Sequence, residues 1–145
     1  MNTLSVKTQI GWITAIEENG RIVRVKFDKS NKNSKTKNLI KFKISLNNYF
    51  KKKKSIVFNY KINGNKIQKK VWSELKKIPF GKTKSYGEIA RKFKISPRHV
   101  GKICAQNKIP MAIPCHRVIR SDGSLGGFTA RGGIKLKKKL LSFES

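Results

Sequence analysis

Acidic residues are scarce in this chain. Seven Asp and Glu stand against 35 Lys and Arg, giving a formal charge of +28 over 145 residues. A surface of that sign disfavours cationic partners and draws polyanions, nucleic acid first among them. The excess has no focus: residues 1–70 hold 18 basic and 3 acidic side chains, residues 71–145 hold 17 and 4. Charge therefore supports nucleic-acid binding without locating it. Lysine enrichment without matching Glu is not the usual hyperthermophile signature. Cysteine occurs only as Cys104 and Cys115, too few for a disulfide framework and consistent with a reducing compartment. None of the usual metal-ligand or phosphate-loop spacings is present, so no metal and no cofactor is expected. No run approaches the length of a membrane span, and Met1-Asn2-Thr3-Leu4-Ser5 has no apolar leader core. The chain reads as soluble and cytoplasmic, with no membrane partner. What is present is enough to fold: 37% hydrophobic residues, 8 of them Phe, and length for one domain or two small ones.

Two β-rich runs, Ile10-Gly11-Trp12-Ile13-Thr14-Ala15-Ile16 and Arg21-Ile22-Val23-Arg24-Val25-Lys26-Phe27, flank an Asn19-Gly20 pair, which predicts a hairpin. Residues 29–38 are polar and lysine-rich and read as a loop. From Leu39 to about Lys52, Leu39, Ile40, Phe42, Leu46 and Phe50 are spaced as on a helix. Ile56 to Ile62 reads as a further strand, closed by Asn63-Gly64-Asn65. Residues 1–64 thus form a small α/β module without a motif for chemistry, and residues 65–145 form a mainly helical domain. There, Ile67, Val71, Trp72, Leu75 and Ile78 mark a helix that stops at Pro79-Phe80-Gly81. Ser85 with Glu88 spells a capping box for a helix carrying Ile89, Ala90 and Phe93. Ser96-Pro97 opens the next helix, through Val100, Ile103 and Cys104 to about Gln106. Helix, short turn and helix with basic flanks is the outline of a helix-turn-helix, here of winged-helix type. Leu136, Leu140 and Leu141 predict a last helix with Lys137-Lys138-Lys139 on its solvated side.

The segment most suggestive of chemistry is Ile113-Pro114-Cys115-His116-Arg117-Val118. A thiol becomes a nucleophile when it is deprotonated and sheltered with its electrophile. His116 is an adjacent base, and Arg117 and Arg120 are cations able to favour a thiolate. An isolated Cys-His pair is more often structural, and sequence neighbours often point apart. Cys104, on the apolar side of its helix, reads as a buried small hydrophobe, and His99 as a structural or surface residue.

Together these residues spell a family. Val71-Trp72, Ile78-Pro79-Phe80-Gly81, Ser85-Tyr86-Gly87-Glu88-Ile89-Ala90, Pro97-Arg98-His99-Val100-Gly101, Asn107, Ile113 to Val118, Ser121 to Phe128 and Leu140-Leu141 resemble, in the same order, the active domain of O6-alkylguanine-DNA alkyltransferases. The resemblance covers about residues 65–145, and the Pro-Cys-His-Arg-Val element is highly specific. It implies a monomeric suicide methyltransferase. Such a protein binds double-stranded DNA through the minor groove, flips an O6-alkylguanine (or O4-alkylthymine) and moves the alkyl group irreversibly onto its own cysteine. Flipping is required because the target oxygen is inaccessible in the stacked duplex.

By the same resemblance Cys115 is the acceptor, His116 withdraws its proton through a water, and Glu144 orients the imidazole. Tyr86 acts on guanine N3, and Asn107 holds the turn that presents Cys115. Arg98 fills the gap left by the flipped base, with Ser96 and Lys108 as further DNA contacts. Val118, Phe128 and Thr129 line the substrate pocket. Lys108 stands where the family usually has Pro, and Phe128 where it often has Tyr, so a hydroxyl is lost there. The first 64 residues contain no Cys or His, which excludes the zinc site some relatives carry. The rival reading is a sensor that flips alkylated bases without chemistry; relatives of that type lack the cysteine. A cysteine hydrolase would need an oxyanion-hole element, and none is evident.

Overall fold

The computed structural model describes residues 1–127 and 132–145 and is mixed α/β, with a small antiparallel sheet and five helices. It divides into two compact units, residues 1–62 and 63–145.

In the first unit, β1 (Asn2–Thr8), β2 (Gly11–Glu18) and β3 (Arg21–Lys26) pair antiparallel in that order. The β2–β3 turn is the Asn-Gly pair, both residues at positive φ (50° and 77°), which suits a tight hairpin. Leu4, Val6, Ile13, Ala15, Ile22 and Val25 are buried, as are Leu39, Phe42, Leu46 and Tyr49 of helix α1 (Lys37–Lys52), which packs on the sheet. Thr36 caps α1 by accepting the Leu39 N–H and donates to the buried Glu17 carboxylate at 2.9 Å. Strand β1 is absent from the sequence reading, because its alternation rests on only Leu4 and Val6 between polar residues. The expected strand over Ile56–Ile62 does not form. A single bridge joins Ile22 to Tyr60. The neighbouring backbone groups are met instead by α1 side chains: Asn38 exchanges two hydrogen bonds with Asn59, and Ser45 accepts the Val57 N–H at 2.7 Å. Backbone satisfied this way needs no ladder.

In the second unit, α2 (Lys66–Leu75) starts in an Asn65/Gln68 capping box and buries Val71, Trp72 and Leu75. It ends one turn earlier than the apolar spacing suggests, and Ile78 is buried from a turn beyond the helix. The Trp72 indole donates to the Ile103 carbonyl at 3.1 Å. Gly64 lies under that ring, where a Cβ would sit 2.5 Å from it. The Ser85/Glu88 capping box opens α3 (Tyr86–Phe93). The helix closes on Lys94 at φ 55°, with the Ile95 N–H returned to Ala90. Ser96 then caps α4 (Pro97–Ala105), with Pro97 in its first turn. Two-residue strands β4 (Lys84–Ser85) and β5 (Val118–Ile119) pair in parallel. This pairing ties the start of α3 to the chain just after a 3₁₀ turn, Cys115–Arg117. Helix α5 (Gly133–Glu144) buries Leu136 and Leu140. Lys138 and Lys139 are exposed, but Lys137 is fully buried, against the expectation of a solvated lysine run.

Candidate active site

Cys115 lies in the 3₁₀ turn, its thiol buried but lining a cavity of about 790 Å³. Asn107 builds the approach to that turn. Its Nδ2 donates to the Ile113 carbonyl at 2.8 Å, and its Oδ1 accepts the Ile109 N–H at 2.9 Å. Two backbone groups of an irregular segment are thereby fixed by one amide side chain, a local solution available to Asn.

Behind Cys115 lies a buried ionic network. His116 is fully buried and its Nε2 sits 2.8 Å from Glu144 Oε2. Arg117 donates from Nε to Glu144 Oε1 at 2.8 Å, from Nη2 to Oε2 at 2.9 Å, and from Nη1 to the Ile78 carbonyl at 2.8 Å. A carboxylate gripped bidentately by a guanidinium accepts rather than donates. The imidazole therefore carries its proton on Nε2 and keeps a lone pair on Nδ1. That Nδ1 is buried and has no hydrogen-bond partner among the described residues. Arg117 is thus committed to Glu144 and does not serve Cys115.

Burial raises the Cys115 thiol above its ordinary value, while a hydrogen bond from Asn107 and the charge of Lys137 act the other way. Burial thus favours the thiol form of Cys115, and Arg120 is the arginine that lines the cavity with it. Burial lowers His116 below its ordinary value, against the pull of Glu144. Burial acts on both groups in the same sense, favouring the neutral imidazole and the neutral thiol over an ion pair.

Sequence reasoning missed Lys137. Its Nζ, with three N–H donors, has four acceptors in reach: the Val118 carbonyl at 2.6 Å, the Leu125 carbonyl, and, more distant, the Tyr86 hydroxyl at 3.2 Å and the Gly127 carbonyl at 3.3 Å. Burial lowers its basicity. The only available signal was its position beside Leu136, one step from the helix's apolar stripe. Tyr86, at the start of α3, is half-buried and lines the cavity, and burial pushes its hydroxyl up to about 12. Gly126, at φ 72°, lets the ring lie close: a Cβ there would be 3.0 Å from it.

Arg98, exposed in the first turn of α4, also lines the cavity, as do Cys104 and Gly127. Val118 is buried at the head of β5, its carbonyl taken by Lys137. Ser96 is exposed and its hydroxyl caps α4. Lys108 is exposed beside Asn107 and is not part of the cavity lining. Phe128 and Thr129 lie outside the described residues.

The pocket joins a sheltered thiol and a phenol, and a carboxylate-held imidazole follows the cysteine in the chain, buried outside the pocket lining. Comparison with known proteins gives the lineage. Residues 66–145 match the family described as 6-O-methylguanine DNA methyltransferase, DNA binding domain, and the chain belongs to that family. A methylated-DNA--protein-cysteine methyltransferase of Methanocaldococcus vulcanius is 47% identical over 88 residues, covering 61% of this chain and 53% of that protein. The chain thus matches about half the length of that relative. One from Metallosphaera sedula is 35% identical over 138 residues, covering 92% of this chain and 86% of the relative. The crystal structure of Mycobacterium tuberculosis O6-methylguanine methyltransferase superposes with a TM-score of 0.84 at 28% identity, covering 99% of this chain and 92% of that one. A structure of Mycobacterium tuberculosis OGT in complex with DNA aligns equally well.

Proposed function

We propose that this protein reverses alkylation damage in duplex DNA by taking the alkyl group of O6-alkylguanine onto Cys115 in a single turnover. The observation that carries this reading is the buried, unpartnered Nδ1 of His116, the residue next to a thiol that lines a cavity roomy enough to admit a base. In the reaction, Cys115 Sγ attacks the alkyl carbon, an S–C bond forms and the C–O6 bond breaks. The thiol proton passes through a water to His116 Nδ1, and Glu144 offsets the imidazolium charge while Arg117 holds the carboxylate in place. Tyr86 donates its hydroxyl proton toward N3 of the departing guanine, so that no full anion is expelled. The proton balance closes when N3 returns its proton to the Tyr86 phenolate as the guanine takes up N1–H from water, and His116 releases the thiol proton to water. Sulfur is a poor leaving group toward water, so the thioether persists and the protein is spent.

Lys137 completes the device. An ammonium can only donate, so at this contact the Tyr86 oxygen is the acceptor, in competition with the three carbonyls, and its O–H stays free to turn toward a substrate. The carbonyls of Val118 and Gly127 are held by the same Nζ, so one charge ties the pocket-lining Gly127 to the buried head of β5. Helices α3 and α4 act as a helix-turn-helix placed in the minor groove, with Arg98 entering the stack from the first turn of α4. The retained thiol disfavours a sensor that only binds the lesion.

Intact-mass measurement after mixing with O6-methylguanine duplex tests the proposal. One methyl group per chain, mapped to Cys115 and followed by loss of activity, is expected. Multiple turnovers, or a methyl group on Cys104, would overturn it.

A further inference from the structure

A second concave surface on residues 63–145 shares no residue with the alkyl pocket. It is a groove of about 480 Å³ between α2 and α3, lined by Lys66, Lys69, Lys70, Lys77 and Lys92, with Glu74 and Phe93 deeper in. The charge distribution in it is ordered. Glu74 is buried and draws together Lys92 at 2.8 Å, Lys77 at 3.5 Å and Lys84 at 3.6 Å, from α3, the turn after α2, and β4. Those contacts hold the Glu74 carboxyl below its ordinary value, Lys92 most of all. One carboxylate thus gathers three ammonium groups and neutralises one charge. Lys66, Lys69 and Lys70 are exposed on the face of α2 opposite its buried Val71, Trp72 and Leu75, and make no ion pair among the described residues.

Three unneutralised lysines within five residues of one helix are mutually repulsive, and on an isolated helix they cost stability. The cost is offset when a polyanion lies across them. Lys66 and Lys70 are one helical turn apart, about 6 Å along the axis, a spacing that lets each meet a separate phosphate of one strand. The aromatic and hydroxyl groups nearby, Phe93 and Ser73, do not form a pocket enclosed enough for a small ligand, whereas an extended backbone needs only a groove.

We propose that this groove is a second contact for the phosphodiester backbone of duplex DNA, apart from the pocket that receives the base. The proposal rests on the reading of duplex DNA as the substrate. The contact carries no sequence information; it lengthens the footprint and lets the protein stay on DNA while it searches.

The test is the salt dependence of binding to an undamaged duplex about 20 base pairs, or two turns, long. Wild type is compared with K66Q/K69Q/K70Q and with a control, K51Q/K52Q/K54Q, that removes the same charge from residues 1–62. Each phosphate contact contributes about 0.9 to the slope of log Kobs against log salt. The groove variant should lose about 2 to 3 from that slope, and the control should lose none. Thermal melting should not fall below wild type in either variant, as removing like charges relieves repulsion, and the rate with free benzylguanine should match wild type in both, since neither touches the alkyl pocket. A groove variant with the wild-type slope, or a control that loses as much, overturns the assignment. A wild type that binds duplex but never takes up an alkyl group overturns the repair reading instead, and the slopes then still decide the groove.

Discussion

The Lys137 ammonium lies 3.2 Å from the Tyr86 hydroxyl, and it is the lysine that donates. Direction matters more than distance here. A phenol that accepts from an ammonium keeps its own O–H free to donate. The two residues are 51 positions apart in the chain, and no local pattern links them.

Lys137→Gln should slow transfer from both duplex DNA and free benzylguanine by tenfold or more, because a charge-assisted hydrogen bond is worth about 1.5–3 kcal/mol. Tyr86→Phe should slow both as well. The double variant should be less impaired than the product of the two single defects, because both act through one donated proton. Independent, multiplicative losses would show that Lys137 only supports the fold. Single-turnover rates on the four proteins settle the point.

The pH profile should show which group carries the proton. His116 is lowered by burial, so its neutral form persists below the ordinary imidazole range, and wild-type rates should hold down to pH values where a free imidazole is already charged. Cys115 is raised by burial, so without its base it stays a thiol at neutral pH. His116→Ala should therefore react slowly near pH 7 and recover as pH climbs. Glu144→Gln should fall between, since it keeps a hydrogen bond and loses the countercharge. Superimposable profiles for the three proteins would place thiol activation elsewhere.

The same shifts bear on stability. A histidine whose folded value is depressed contributes fully above its unfolded value of about 6.5 and loses that contribution as pH falls toward the folded value. A thiol whose folded value is raised behaves in the opposite sense, and both Cys104 and Cys115 are raised. Their contribution should fade as pH rises above the unfolded value of about 8.5. Melting temperature against pH should therefore decline on both flanks, and Cys104→Ala should soften the alkaline decline.

Arg98→Ala should slow repair of duplex lesions far more than reaction with free benzylguanine, which needs no flipping. Equal losses on both substrates would give Arg98 a part in the pocket itself.

Gly64→Ala tests packing remote from chemistry. A methyl group 2.5 Å from the Trp72 ring forces the indole to move, straining its bond to Ile103. Overpacking of this kind costs about 1–3 kcal/mol, readable as a lower denaturant midpoint. An unchanged midpoint would mean the loop before α2 yields freely.

Local rules carried much of this fold. The Asn19-Gly20 turn, the Ser85/Glu88 box and the Ser96-Pro97 start are each settled by a few neighbouring residues, and each forms as its sequence reads. The Ile56–Ile62 run failed because β-propensity says nothing about whether a partner strand is available. In the site, the Cys-His pair was legible, and so were Asn107 and Tyr86 through resemblance. Lys137 was not, since a lysine between lysines reads as solvated and its burial depends on carbonyls of a distant loop. The proton placement on His116 also needed the folded partner Glu144.

Three of the seven acids, Glu17, Glu74 and Glu144, are almost wholly buried. The outer shell is consequently closer to a pure polycation than the composition implies, and the native molecule carries a standing self-repulsion. Ionic strength then acts on it in two opposed ways. Added salt screens like charges and should raise the melting temperature, while it strips the protein from any polyanion. The conditions that best preserve the free protein are those in which it holds nucleic acid least.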